Sequence, residues 1–211
     1  MRVLVFGDSI TQGYWDTEGG WVNRLRQYYD EIQSSDLQQN DEPTVFNLGI
    51  SADTSREILA RAKTETLART RHKKPIVVIQ IGINDSCKHA KDYQVAIEEY
   101  KNNLQDIINE LKAVSSELVF VGHNSVNETR TSPVFWGDYW YSNKDIKEYE
   151  DAMEEVAKDN NVPFIAVFNE FFDRVEKQKT VELIPDGLRP NNEGHKVLLE
   201  IIKPKISKYL V

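Results

Sequence analysis

Short runs of almost wholly apolar residues alternate with amphipathic stretches along nearly the whole chain. Few folds accept that pattern. The runs are Arg2 to Phe6, Thr44 to Leu48, Ile76 to Ile81, Leu118 to Val121 and Val162 to Phe168. Between them, apolar residues recur at helical spacing. Trp21, Val22, Leu25, Tyr28, Tyr29 and Ile32 form one such stripe, and Ile58, Leu59, Ala62 and Leu67 form another, with Asp53 or Thr54 as its N-cap. Ile97, Tyr100, Leu104, Ile107, Ile108 and Leu111 give a third, and Ile146, Tyr149, Met153 and Val156 a fourth. Leu199, Ile202, Ile206 and Tyr209 close the chain as a helix expected to kink near Pro204. Strands that are apolar throughout suit a parallel sheet covered on both faces. Strand and helix in alternation means right-handed crossovers. The expected fold class is therefore α/β: one doubly wound domain over residues 1–211, with about five parallel strands.

Composition removes several function classes. The chain has 211 residues, with 26 Lys and Arg against 34 Asp and Glu, a formal net charge of −8. Such a balance speaks against a nucleic-acid partner or an anionic membrane. The lone cysteine, Cys87, excludes an intrachain disulfide, and a buried small residue is its expected role. The four histidines at 72, 89, 123 and 195 lack metal-ligand spacing, so no metal or cofactor is expected. No stretch is apolar enough for a membrane span, and Met1 to Phe6 is too short for a signal-peptide core. The expected location is cytoplasmic. There is no Gly-x-Ser-x-Gly elbow, no Walker A lysine and no Gly-x-Gly-x-x-Gly after the first strand.

In doubly wound folds, chemistry sits in loops beyond the carboxyl ends of the strands. Four segments qualify: Gly7-Asp8-Ser9-Ile10-Thr11, Asn47-Leu48-Gly49-Ile50-Ser51, Gly82-Ile83-Asn84-Asp85, and Asp186-Gly187-Leu188-Arg189-Pro190-Asn191 before the last helix. Converging on one rim, they supply what acyl transfer requires. A serine at a helix start is exposed among backbone N–H groups. A glycine N–H and an asparagine amide can donate to a tetrahedral oxyanion. An aspartate near the chain end can orient a base.

The order and spacing of these motifs resemble the SGNH hydrolases, also called GDSL-type esterases, over nearly the whole chain from Gly7 to His195. The resemblance implies a flavodoxin-like three-layer α/β/α sandwich and metal-free hydrolysis of a small ester or thioester. It implies that Ser9 is the nucleophile and also an oxyanion donor. Gly49 would give a second N–H, Asn84 its side-chain amide, and Asp186 would be the triad acid. The family places its histidine three residues after that aspartate, and here the position holds Arg189. A guanidinium does not give up a proton in proteins, so it cannot serve as the base. Weak activity is one expectation. A catalytically impaired member that binds an ester or anionic ligand is the other, with Arg189 as an anchor or as an ion-pair partner of Asp186.

Two histidines are candidate substitutes. His195 falls on the stripe of Leu199, Ile202 and Ile206, which suits a buried, hydrogen-bonded core residue. His123 follows the fourth strand at the functional rim. The long segment 123–142 carries Phe135, Trp136, Tyr139, Trp140 and Tyr141. It either covers the site or packs back on the flank. Tyr14 and Trp15 are candidate walls of the same cleft. Asp8 and Asp85 are expected to bond loop N–H groups.

Overall fold

The computed structural model describes residues 1–35, 43–177 and 182–210. In chain order the elements are β1 (Arg2–Gly7), α1 (Ser9–Gln12), α2 (Gly20–Ser35), β2 (Thr44–Gly49), α3 (Ser55–Arg69), β3 (Ile76–Gln80), β4 (Lys88–His89) and β5 (Asp92–Tyr93). They continue with α4 (Ile97–Leu111), β6 (Glu117–Val121), α5 (Glu128–Thr131), β7 (Tyr139–Trp140), α6 (Asn143–Asp159), β8 (Phe164–Ile165), α7 (Phe168–Lys177) and α8 (Asn192–Ile206). Five strands form one parallel sheet in the order β2-β1-β3-β6-β8. The strand order reverses between β1 and β3, which is the topological switch point of a flavodoxin-like sheet.

The sheet strands carry apolar residues at both parities because each feeds two cores. Val3 and Val5 of β1 pack with Trp21, Val22, Leu25 and Leu198 from α2 and α8. Leu4 and Phe6 join Ile58, Leu104, Ile108 and Met153 from α3, α4 and α6. Successive side chains point to opposite faces, so both parities must be apolar. Thr54 is the N-cap of α3, and Glu57 completes a capping box with it.

Three expectations need correction. The fifth strand pairs only over Phe164 and Ile165, and Phe168 already belongs to α7. A continuous apolar run does not separate a strand end from a helix start. The last helix starts at Asn192, capped by the Asn191 side chain, and Tyr209 lies in a 3-10 turn beyond it. Segment 123–142 is not plain loop. It holds α5 and β7, and β7 joins β4 and β5 in a three-stranded antiparallel sheet. No helix among the described residues is long and apolar enough to cross a membrane.

Candidate active site

Ser9 opens α1, with only Asp8 between it and the end of β1. Asp8 caps the one-turn helix α1 by accepting from the Ile10 N–H at 2.8 Å. Gly13, at φ 91, ends that turn in the left-handed region that glycine tolerates. A buried polar lock holds the turn to the sheet. Gln80 Oε1 accepts from Thr11 Oγ1 at 3.0 Å and from Trp21 Nε1 at 2.8 Å, while its amide donates to Gly122 O at 3.0 Å.

Gly49 does not present its N–H to the cleft. That N–H donates to Asn47 Oδ1 at 3.0 Å. The glycine serves close packing instead: a Cβ here would meet Gln12 N at 2.3 Å and Asp8 O at 2.8 Å. The residues of this loop that line the cleft with Ser9 and Asn84 are Ser51 and Ala52, the latter at φ 70. A non-glycine residue in that region marks a backbone conformation imposed by its surroundings. Arg61 supplies part of the restraint, donating to Asp53 Oδ2 at 2.8 Å and to Leu48 O at 2.8 Å. The available sequence signal was the capped helix start at Thr54, which fixes the residues just before it.

Asn84 follows β3 across the switch point. Its Nδ2 donates to Asp53 O at 2.8 Å, and its Oδ1 accepts from the Tyr141 hydroxyl at 3.3 Å. The neighbouring Asp85 accepts from Ser55 N at 3.0 Å and so ties this loop to the start of α3. Burial raises Asp8 to a pKa of about 7 and Asp85 to about 6.

Asp186 and Arg189 form an ion pair, Arg189 Nη1 to Asp186 Oδ2 at 2.8 Å. Asp186 Oδ1 accepts from the N–H groups of Leu188 at 2.8 Å and Arg189 at 2.7 Å. Oδ2 also accepts from Trp15 Nε1 at 2.9 Å. The guanidinium lies between two rings, 4.5 Å from the Trp136 centroid and 5.2 Å from that of Tyr14. Its Nε points at Ser9 Oγ from 3.4 Å. The position expected to hold a base thus holds a fixed cation that donates toward the serine.

Neither candidate histidine meets Ser9. His195 is fully buried in α8, its Nδ1 accepting from Trp21 N at 3.3 Å and its Nε2 lying 3.3 Å from Tyr14 O. Both ring nitrogens are thereby engaged with backbone. His123 is buried, and its Nε2 packs against Gly82, where a Cβ would stand 2.6 Å away. That nitrogen has no hydrogen-bond partner among the described residues. Burial lowers both imidazoles to a pKa of about 4 and keeps them neutral near pH 7.

The cleft around Ser9 has a volume of about 270 Å³ and is walled by Trp136, Tyr139 and Tyr141 from segment 123–142. Phe135 and Trp140 of the same segment remain exposed. Asp186 also lines a second cavity of about 550 Å³, with Trp15, Thr129, Arg130, Pro133, Phe135 and Pro185. Cys87 is buried, as expected of a small core residue. Chemically, the cleft offers a hydroxyl nucleophile, a side-chain amide, a guanidinium and apolar walls.

The model of the GDSL-like lipase/acylhydrolase family matches residues 5–197. The chain is similar to the isoamyl acetate-hydrolyzing esterase of Saccharomyces cerevisiae, 25% identical over 99% of this chain and 88% of the yeast protein. Among solved structures, Axe2, an acetylxylan esterase from Geobacillus stearothermophilus, superposes with a TM-score of 0.69 at 22% identity, covering 97% of this chain and 93% of that one. LAE5, an alpha/beta hydrolase enzyme from the metagenome of Lake Arreo in Spain, gives a TM-score of 0.74 at 19% identity over 98% and 94% of the two chains. At those identities the two structures speak for the fold.

Proposed function

Because this chain belongs to the GDSL-like lipase/acylhydrolase family, we propose that it hydrolyses a small carboxylic ester through an acyl-enzyme at Ser9, slowly, for want of a base. The observation that carries the reading is the hydrogen bond from Arg189 Nε to Ser9 Oγ at 3.4 Å, in the cleft that Asn84 also lines. Ser9 Oγ attacks the acyl carbon. The oxyanion that forms accepts from the free Asn84 Nδ2–H and from the N–H groups of Ser9 and Ala52. Ala52 takes the place foreseen for Gly49. The Ser9 proton passes to solvent, since the guanidinium cannot accept it. The alcohol leaves with a proton, and water then releases the acid and restores Ser9.

A cleft of about 270 Å³ walled by three aromatic rings fits a short acyl group. Two of the named relatives, the isoamyl acetate-hydrolyzing esterase and the acetylxylan esterase Axe2, are named for acetate esters, in keeping with a short acyl group. The single buried thiol suits a reducing, cytoplasmic setting.

Hydrolysis of p-nitrophenyl acetate by the parent, Ser9→Ala and Arg189→His tests this. Loss of the histidine base in a serine protease costs roughly 10⁶ in kcat. Arg189→His is expected to gain several orders of magnitude, and Ser9→Ala to lose all turnover above background. Equal rates for the parent and Ser9→Ala would refute a serine mechanism.

A second reading has its own observation. Both Asp186 oxygens are engaged, and the arginine is clamped between two rings. A fixed guanidinium beside an asparagine amide is a carboxylate site. Under this reading the chain holds a small carboxylate without turnover. Calorimetric titration with acetate, weakened in Arg189→Gln, would support it, and no measurable heat with the parent would remove it.

A further inference from the structure

The cleft has a component that the motif loops do not supply. Tyr141 is almost fully buried, and its hydroxyl donates to Asn84 Oδ1 at 3.3 Å. Its own backbone is pinned at both groups: Tyr141 N donates to Thr131 O at 2.9 Å, and Thr131 Oγ1 donates to Tyr141 O at 2.8 Å. Pairing of β7 with β4 sets the register, placing Trp140 opposite Lys88 and Tyr139 opposite His89. Asn84 lies just before β4 and Tyr141 just after β7, so this small sheet brings the phenol to the amide.

We propose that Tyr141 is a positioning residue of the oxyanion site, holding the Asn84 amide in the orientation that turns one Nδ2–H into the cleft. The inference rests on the ester-hydrolase reading for its catalytic consequence. An amide has two faces of opposite polarity, and a flip would present Oδ1 to the developing oxyanion. Asp53 O, which can only accept, fixes one Nδ2–H, and the phenol donating to Oδ1 from the other side reinforces that orientation. The second Nδ2–H is left for the cleft. Donation into Oδ1 also polarises the amide and strengthens that remaining donor. Burial holds the Tyr141 phenol protonated, well above its ordinary range, so it remains a donor at any working pH.

The test is a double-mutant cycle of Tyr141→Phe and Asn84→Ala, each made in the parent and in Arg189→His, with kcat and KM for p-nitrophenyl acetate. Tyr141→Phe keeps the ring and is expected to lower kcat about tenfold to a hundredfold, a fraction of what losing a whole oxyanion donor costs. KM should stay within about twofold. The loss should vanish once Asn84 is alanine, since Tyr141 acts through that amide. An equal loss in the Asn84→Ala background, or a change confined to KM, overturns the inference. A second readout needs no turnover: solvent exchange of the Asn84 side-chain N–H₂ pair by NMR, identified by its absence in Asn84→Ala. Tyr141→Phe is expected to speed that exchange and shift the pair. If no Ser9-dependent turnover exists in either background, the ester-hydrolase reading fails alone and this signal decides. An unchanged Asn84 pair then overturns the positioning role, and a faster one sustains it.

Discussion

Arg189 differs from an imidazole in the direction of its hydrogen bonding. It donates toward Ser9 Oγ and accepts nothing, so any proton leaving Ser9 must go to solvent. This sets a pH signature. The log of the parent's turnover should rise steadily with pH through the neutral range, because hydroxide performs the deprotonation. Arg189→His should instead level off above about pH 6.5, once its imidazole is neutral and able to accept. A pH–rate profile of both proteins from pH 5 to 9 decides it, and a plateau in the parent would mean that some other group is a base. Gly49 makes a separate point at this scale. Its lack of a side chain lets the end of β2 lie against the turn that carries Ser9. Gly49→Ala should cost about 1 to 3 kcal/mol by overpacking, and urea unfolding measures it. A loss of turnover without a loss of stability would restore its N–H to the oxyanion site.

At the scale of elements, the site depends on how helices start. Asp8 caps α1, Thr54 caps α3 and Asn191 caps α8, so three cleft segments are each fixed by a cap a few residues away. The capping box at Thr54 also restrains the Ala52 turn. Thr54→Ala should lower stability by about 1 kcal/mol in urea unfolding and reduce turnover by loosening Ala52. Unchanged turnover with the stability loss would separate the cap from the cleft. The small sheet of β4, β5 and β7 does comparable work on the other side. It fastens segment 123–142 so that Trp136 and Tyr139 wall the cleft.

Across the whole molecule, several buried ionisable groups oppose one another in pH. Burial raises Glu150 to a pKa of about 7, although it accepts from His123 N at 2.7 Å and Phe168 N at 3.2 Å. Asp8 and Asp85 are raised as well, and His123 and His195 are lowered. For a raised carboxyl, the folded chain binds more protons than the unfolded one between about pH 4 and pH 7. Its contribution is fully present below the unfolded pKa and lost as pH rises through the folded one. The lowered histidines act oppositely, costing stability as pH falls from about 6.5 to 4. Glu150→Gln isolates one contribution. The parent's stability relative to this variant should fall by on the order of 3 kcal/mol between pH 4 and pH 8. Urea unfolding at both pH values measures it. A difference independent of pH would show that Glu150 ionises normally in the fold.

The alternation of apolar runs and helical stripes determined the layered α/β fold, because strands covered on both faces must bury apolar residues at both parities and keep polar ones such as Asn47 and Gln80 near their ends, where they find partners. It also placed Ser9, Asn84, Asp186 and Arg189 at the ends of elements, from which topology carries them to one rim. The sequence also showed that Arg189 cannot act as a base, since no environment makes a guanidinium accept a proton. What it left open was decided by tertiary contacts. Gly49 and Ala52 lie in one loop, and only the hydrogen bond from Gly49 N to Asn47 Oδ1 and the left-handed φ of Ala52 tell which of them faces the cleft. His195 followed the apolar stripe into the core, but the binding of both its nitrogens by Trp21 and Tyr14 backbone required α8 and α2 to be packed together. Tyr141 bonds an amide 57 positions away, through a register set by strands of two residues. So few residues carry no readable period, and a hydrogen bond between residues far apart in the chain exists only once the fold has brought them together.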